Sequence, residues 1–134
     1  MFKLDARLEA DTLLIHDLPL CRVLLMNDSQ FPWLILVPRV EGVTEIIELS
    51  DEQQQQFLAE SAQVSRLLQA QFTPDKLNVA ALGNVVSQLH IHHVARYKSD
   101  IAWPKPIWGA QPVVAYSQDT AAELVTALKK ALAE

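Results

Sequence analysis

Cysteine and long apolar runs are both scarce in this sequence. The 134 residues include one cysteine, Cys21, so no disulfide can form within the chain and a disulfide-stabilised scaffold is excluded. The longest apolar run lies around Trp33 to Pro38, far short of the roughly 20 residues that a membrane-spanning helix needs. We therefore expect one domain over residues 1–134, located in a reducing cytoplasm.

Targeting signals and basic clusters are also lacking. The N-terminus, Met1 to Arg7, has no apolar core followed by a small-residue cleavage site, so we expect no signal or transit peptide and a mature chain that starts at Met1. The 11 Lys and Arg residues are scattered and are outnumbered by 16 Asp and Glu residues. Because affinity for a phosphate backbone requires clustered basic side chains, we expect neither a nucleic acid nor a membrane as partner.

Two helices are indicated by capping boxes. Ser50 and Gln53 form the first, and apolar residues then recur at helical spacing until the Thr73-Pro74 pair ends the run. Thr120 and Glu123 form the second, at the start of a C-terminal segment with an apolar stripe. The sequence thus predicts one long helix and one terminal helix.

Segments rich in branched residues predict five strands. They are Thr12 to His16, Arg22 to Met26, Trp33 to Val37, Leu77 to Leu82 and Leu89 to Ala95. Short turns separate the first three, and the long helix lies between the third and the fourth. Strands, an inserted helix and further strands predict an α+β fold with a five-stranded antiparallel sheet.

Three of the four histidines lie within four positions, at His90, His92 and His93. If this run is a strand, alternation places Gln88, His90 and His92 on one face and His93 on the other. We therefore expect a ligand along the first face and plain packing or an interface contact for His93. Imidazole suits such a site because its pKa of about 6.5 leaves an unprotonated nitrogen at neutral pH that can attack phosphorus, accept a proton or bind a metal.

The segment Asn78 to Arg96 resembles the signature region of the histidine triad family of nucleotide hydrolases and transferases. The family pattern is a Gly-Gln-Ser/Thr turn, then His-x-His-x-His with apolar residues between, often followed by Arg. The matched positions are Gly83 and Asn84 on the turn, Gln88 in place of the first histidine, and His90 and His92 as the second and third. The similarity extends more weakly over roughly residues 10 to 100 and implies a single histidine triad-like domain over residues 1–134, with a C-terminal arm and helix at 100–134.

The resemblance implies chemistry at the α-phosphate of a nucleotide conjugate or dinucleoside polyphosphate, a purine nucleotide being favoured. His90 would attack phosphorus to form a nucleotidyl-histidine intermediate, and His92 would contact a phosphate oxygen or the leaving group. Gln88 would orient backbone or an imidazole, Asn84 would donate its amide to the phosphate, and Asn27 would lie near the ribose. The resemblance also implies that no metal or other cofactor is required and that the protein is a homodimer.

Other residues complete this hypothesis or depart from it. Arg96 is an even number of residues after His90, so it lies on the same face if the strand continues that far. There it is expected to offset phosphate charge. Trp33 stands where the family often has a histidine, so substrate preference does not transfer. The proline-containing segment Trp103 to Gly109 cannot be helical, and we expect an arm that packs its tryptophans on the domain or a second subunit, or that closes Trp108 or Lys105 over a ligand.

Two other functions stay open. A metal enzyme is one, since His-x-His on a strand recurs in metal sites; however, His93 points away and no histidine or cysteine follows it. A nucleotide sensor without catalysis is the other, because Gln88 replaces the first histidine and Val85 replaces the hydroxyl residue of the turn.

Overall fold

The computed structural model describes residues 1–133 and shows a single antiparallel sheet with helices. The elements are α1 (Ala6–Asp11), β1 (Thr12–Asp17), β2 (Cys21–Met26), β3 (Trp33–Pro38), a 3₁₀ turn (Ile46–Glu48), α2 (Asp51–Phe72), β4 (Lys76–Ala80), β5 (Ile91–Arg96) and α3 (Gln118–Ala133). The five strands follow the order β1-β2-β3-β5-β4, and each neighbouring pair is antiparallel. The predicted α+β class, with its inserted long helix and C-terminal helix, is confirmed.

The sheet separates two apolar layers because strand side chains alternate between its faces. On one face, α2 and α3 pack on residues such as Val23, Leu34 and Ile91. On the other, the N-terminal segment and the arm after β5 cover residues such as Ile35 and Val94. The second face has no long helix on it, which leaves room for a cavity.

The long helix α2 begins and ends where the sequence predicts. The Ser50 hydroxyl accepts the Gln53 N–H, and the Gln53 side chain accepts the Ser50 N–H. At the other end Thr73 adopts a left-handed φ of 48°, and its N–H donates to the Gln69 carbonyl. Pro74 follows and cannot continue the helix. The predicted capping box is confirmed.

The predicted start of the terminal helix was wrong. Helix α3 begins at Gln118, because the Ser117 hydroxyl accepts the N–H of Thr120 and Thr120 therefore lies inside the first turn. Ser117, three residues before Thr120, is itself a good capping residue. Glu134, the last residue of the predicted segment, lies outside the described residues.

The short helix α1 was not predicted. Its six residues are too few to show helical periodicity, and the Asp5 carboxylate caps it by accepting the Arg7 N–H. Neither α1 nor any longer helix within residues 1–133 combines the length and apolar character needed to cross a membrane.

The loop before β5 is longer than predicted. Strand β4 ends at Ala80 and β5 starts at Ile91, so His90 precedes the strand. Within this loop a Cβ on Gly83 would lie 2.7 Å from the Val86 carbonyl oxygen, which explains a glycine there. The loop folds back tightly and carries His90 to the same side of the sheet as His92.

Candidate active site

A cavity of about 550 Å³ lies on the face of the sheet opposite α2 and α3. Most of its walls are apolar side chains from α1, β2, β3, the loop before β5 and the arm after it. Among the described residues, its polar groups are His90, His92 and Asn84, and its charged groups are Arg7 and Asp11. A largely apolar cavity with a few converging polar groups is the usual form of a small-molecule site.

His90 offers one ring nitrogen without a partner. Its Nδ1 lies 2.7 Å from the Gln88 carbonyl oxygen, and because a carbonyl only accepts, we assign the proton to Nδ1. The Nε2 then carries a lone pair. Within residues 1–133 the only buried side-chain nitrogen or oxygen without a partner is Nε1 of Trp108, so Nε2 of His90 is not sealed from solvent. His90 can therefore act as a nucleophile or a base.

His92 is held in one neutral form. The Trp33 indole N–H donates to its Nδ1 at 3.0 Å, which leaves the proton on Nε2, 3.2 Å from the Leu82 carbonyl oxygen. Burial, together with the neighbouring His90 and His93 rings and against the opposing hydrogen bond to Leu82, lowers the pKa of His92 to about 4. At neutral pH His92 is thus an uncharged N–H donor, and Trp33 determines which nitrogen carries the proton.

Aromatic rings surround the histidine pair. The centroids of His90 and His92 are 4.9 Å apart, and the Trp108 ring lies 5.2 Å from His92 and 6.4 Å from Trp33. Trp108 belongs to the arm that the sequence predicted to pack on the domain or to close over a ligand. The arm places Trp108 in the cavity wall, whereas Lys105 lines a separate surface depression.

A second cavity of about 240 Å³ lies on the other side of His90. Its lining is more polar and includes Thr44, Glu45 and Ser87, and Asn84 contributes to both cavities. His90 therefore stands between an apolar chamber and a polar one. This arrangement leaves space on both sides of the imidazole for two parts of one ligand.

Comparison with known proteins identifies the family. The model of the HIT domain matches residues 7–99, about two thirds of the chain. The chain belongs to the histidine triad family. Its structure is similar to that of a histidine triad protein from Marinobacter aquaeolei VT8, with 52% identity, a TM-score of 0.96 and coverage of 99% of this chain and 97% of that one.

Two further histidine triad proteins of known structure are similar over nearly their whole length. The protein from Bradyrhizobium japonicum shares 44% identity with a TM-score of 0.94, and the match covers 98% of each chain. The protein from Sinorhizobium meliloti 1021 shares 37% identity with a TM-score of 0.93, covering 96% of each chain. No curated protein matches the sequence. The predicted family is confirmed.

His93 lies apart from the cavity of this histidine triad protein. It is fully buried between β5 and α2, where its Nδ1 donates to the Ile91 carbonyl at 3.1 Å and its Nε2 accepts from the Ser61 hydroxyl at 2.7 Å. Burial lowers its pKa to about 4. The opposite-face prediction is confirmed, and the Ser61 hydroxyl explains why a polar ring is tolerated in the core.

Gln88 and Asn84 lie near His90 in different ways. The side-chain amide of Gln88 hydrogen-bonds the backbone of Lys3 and Asp5, while the backbone carbonyl of Gln88 orients His90. The resemblance implied that this amide orients either backbone or an imidazole, and the structure shows backbone as its partner. Asn84 is exposed on the loop and contributes to the cavity wall beside His90.

Asn27 and Arg96 are not brought into the cavity. The Asn27 side-chain oxygen accepts the Tyr116 N–H at 3.0 Å and lines a cleft against α3. Arg96 lies on the predicted face but is buried, with its guanidinium on Asp100 at 2.8 Å and Asn78 at 2.7 Å. Neither side chain lines the cavity, because both are engaged in bonds that secure the C-terminal arm, and their contact with a ligand stays a prediction.

The sequence reasoning missed the contribution of α1. Arg7, Leu8 and Asp11 line the cavity, although they lie some 80 residues before the histidines. The only local sign of this helix in the sequence was Asp5, a residue type that is favoured at the N-cap position. Nothing in the order of residues indicates that this helix packs beside His90.

Metal ligands do not assemble at this site. No group of three or more His, Cys, Asp and Glu side chains within residues 1–133 is placed to hold a metal ion. The Trp33 bond and the Leu82 carbonyl already engage both nitrogens of His92. Its lone pair faces an indole N–H, which is an unfavourable arrangement for a metal ligand.

Proposed function

We propose that this histidine triad protein is a nucleotide hydrolase or nucleotidyl transferase that acts at the α-phosphate of a nucleotide conjugate or dinucleoside polyphosphate. Family membership supports nucleotide binding. The observation that carries the chemical proposal is the unpartnered Nε2 of His90 beside a cavity of about 550 Å³. A lone pair in that position is what attack on phosphorus requires.

The proposed reaction has two displacements. In the first, the Nε2 lone pair of His90 forms a bond to the α-phosphorus, and the bond to the leaving group breaks as that group takes the electron pair and then a proton from water. The imidazole becomes cationic, and its Nδ1–H bond to the Gln88 carbonyl becomes charge-assisted. In the second, water or another acceptor attacks phosphorus and loses its proton to solvent, and the bond between phosphorus and Nε2 breaks, which returns the electron pair to Nε2.

The neighbouring groups suit this charge development. His92, neutral and protonated on Nε2, can turn its N–H from the Leu82 carbonyl to a phosphate oxygen. Asn84 lines both cavities and can donate its amide to the same phosphoryl group. Fixed donors of this kind stabilise the charge of the transition state without a metal ion.

The two cavities divide the proposed substrate. The apolar chamber, with Trp33 and Trp108 in its wall, suits a planar base, for which we propose a purine. The polar chamber beyond His90 suits the leaving group. Comparing the affinity for AMP and GMP with that for CMP and UMP tests the preference.

The proposal includes a homodimer in the cytoplasm. Strand β4 lies at the edge of the sheet, and its Val79 is half exposed. An unpaired strand edge is a common surface for association with a second chain. Light scattering after gel filtration tests the dimer, and a monomeric mass at micromolar concentration contradicts it.

Covalent trapping tests the nucleophile. We expect a nucleotide conjugate labelled at the α-phosphate to label His90 after an alkaline quench, because phosphoramidates survive at high pH. His90→Asn should lose the label and at least about 1,000-fold in kcat, while the Kd for AMP stays within about tenfold, or ~1.4 kcal/mol.

The control for that experiment is His16→Asn, which alters a histidine on β1 far along the sheet from β5. It should label as the wild type does. If the wild type neither labels nor turns over any of a broad panel of nucleotide conjugates yet binds AMP, the protein is a nucleotide sensor and the enzymatic proposal fails.

A further inference from the structure

We propose that Gln88 is a positioning residue that holds the N-terminal segment, residues 3–5, so that α1 forms one wall of the histidine cavity. The part of this inference that concerns substrate rests on the proposed function. The two hydrogen bonds by which Gln88 holds residues 3–5, here called the clamp, do not depend on the proposed function.

The clamp consists of two hydrogen bonds from one side-chain amide. The Asp5 N–H donates to Oε1 of Gln88 at 2.8 Å, and Nε2 of Gln88 donates to the Lys3 carbonyl at 2.8 Å. The joined residues are 83 and 85 positions apart in the chain. Gln88 thus meets alternate residues of an extended segment as a neighbouring β-strand would.

This geometry explains why glutamine serves where the family pattern has a histidine. The oxygen and the N–H of a primary amide lie side by side and point the same way, so they can meet a backbone N–H and C=O on one strand edge. The two nitrogens of an imidazole point away from each other across the ring. A histidine at position 88 can therefore make one of these bonds but not both.

The clamp connects directly to the cavity wall. Asp5, which Gln88 holds, is also the N-cap of α1, since its carboxylate accepts the Arg7 N–H at 2.8 Å. Helix α1 then places Leu8 in the apolar layer that contains Trp33. A six-residue helix is not stable in water without such tertiary support.

The wall that the clamp supports also contributes charge. Of the described residues that line the cavity, Arg7 and Asp11 are charged, with opposite signs, and both lie on α1. A ligand will therefore bind less tightly if α1 moves away, because the cavity loses the wall that contains Leu8 and Arg7. Gln88 in this way affects affinity for the ligand through α1, without contact with the reacting atoms.

The test measures α1 and the ligand separately. We replace Gln88 with Leu, which removes both bonds, and with Glu, which keeps the acceptor for Asp5 but puts an oxygen against the Lys3 carbonyl. Hydrogen exchange at the Asp5 amide and in α1 should become at least about tenfold faster in both variants. Exchange in α2 should not change, which shows that the variants remain folded. Gln55→Leu, at an exposed position on α2, is the control.

The second measurement follows the ligand. The Kd for AMP and the KM for a turned-over conjugate should rise about tenfold in Gln88→Leu, while kcat changes less than about twofold. If the wild type does not bind AMP, the proposed function fails and the exchange data still decide the clamp. Unchanged exchange in α1 overturns the inference whatever the activity.

Gln88→His separates the clamp from a missing catalytic histidine. It restores the family pattern, yet we expect it to free α1 and to raise KM as Gln88→Leu does. If Gln88→His keeps the slow exchange of α1 and increases kcat/KM, position 88 acts in the reaction and the positioning role is refuted.

Discussion

His92 and His93 are consecutive residues of one strand, and burial lowers the pKa of each to about 4. His92 bonds Trp33 beside an open cavity, whereas His93 bonds Ser61 inside the layer between sheet and helix. The two rings thus have the same residue type, similar burial and two bonded nitrogens each. What separates a candidate site residue from a core residue here is access: one ring borders a cavity and has His90 as its neighbour.

The largest effect that we expect is a pH dependence of the free energy of unfolding, to which both rings contribute. Both are neutral in the folded protein down to a pKa of about 4, whereas in the unfolded chain histidine protonates near pH 6.5. Above pH 6.5 neither state binds the protons and the rings contribute no pH dependence. Between pH 6.5 and 4 the unfolded state binds more protons, so the free energy of unfolding falls as the pH falls, by on the order of 3 kcal/mol per histidine at pH 4.

Urea unfolding at pH 7, 5.5 and 4.5 measures this loss. The double variant Ser61→Ala/His93→Leu replaces both partners of the buried bond with apolar groups and removes one of the two titrating rings. The pH dependence between 6.5 and 4 should then be roughly halved. An undiminished dependence means that His93 is not a source of it.

The next effect is on kcat, and we expect it for His92 but not for His93. Trp33→Phe keeps an aromatic ring but removes the indole N–H, so Nδ1 of His92 loses its partner and the proton is free to move between the nitrogens. We expect kcat to fall about 10- to 100-fold, which corresponds to the cost of about 1–3 kcal/mol for an unsatisfied buried group. Imidazole ¹⁵N shifts should show a tautomer mixture at His92.

Trp103→Phe is the matched control, because the Trp103 indole stacks on the buried Arg96 rather than on a histidine. It should leave the His92 tautomer unchanged. Were Trp33→Phe to keep full kcat with a mixed tautomer at His92, the donor role of His92 would be wrong.

The smallest effect lies on the core side of the strand. Ser61→Ala removes the hydroxyl that donates to His93 and leaves its Nε2 buried without a partner. The free energy of unfolding should fall by about 1–2 kcal/mol, with kcat within about twofold of the wild type, because the bond is across the sheet from the cavity. Thermal unfolding measures the loss of stability, and steady-state kinetics measure kcat. A fall in kcat well beyond twofold would connect His93 to the reaction.

Local patterns in the sequence predicted most of the fold. The Ser50 capping box marks the start of α2, and Thr73 with Pro74 marks its end. The same kind of signal failed at Thr120, where Ser117, three residues earlier, competes for the cap. The two ends of the loop before β5, residues 81–82 and 89–90, were assigned to the flanking strands because their apolar residues are also common in strands. Local patterns therefore predict which elements exist better than where each one stops.

Of the predicted site residues, some line the cavity and some do not, and the difference has a physical reason. Alternation along β5 separated His92 from His93, and the resemblance to the histidine triad signature pointed to His90. Asn27 and Arg96 also matched by position, but Tyr116 and Asp100 engage their side chains. A position in a motif does not say whether a side chain has been taken up by a bond within the protein.

The order of residues was enough to establish the five strands and the two longer helices, the alternation that sends neighbouring histidines to opposite faces, and the family, because these follow from interactions within a few residues or from the spacing of a motif. The folded chain was needed to show that Trp33 controls the proton of His92, that Trp108 and α1 wall the cavity, and that Gln88 holds residues 3–5. Each of these contacts joins segments far apart along the chain, and no local pattern encodes which distant segment will lie beside a given side chain.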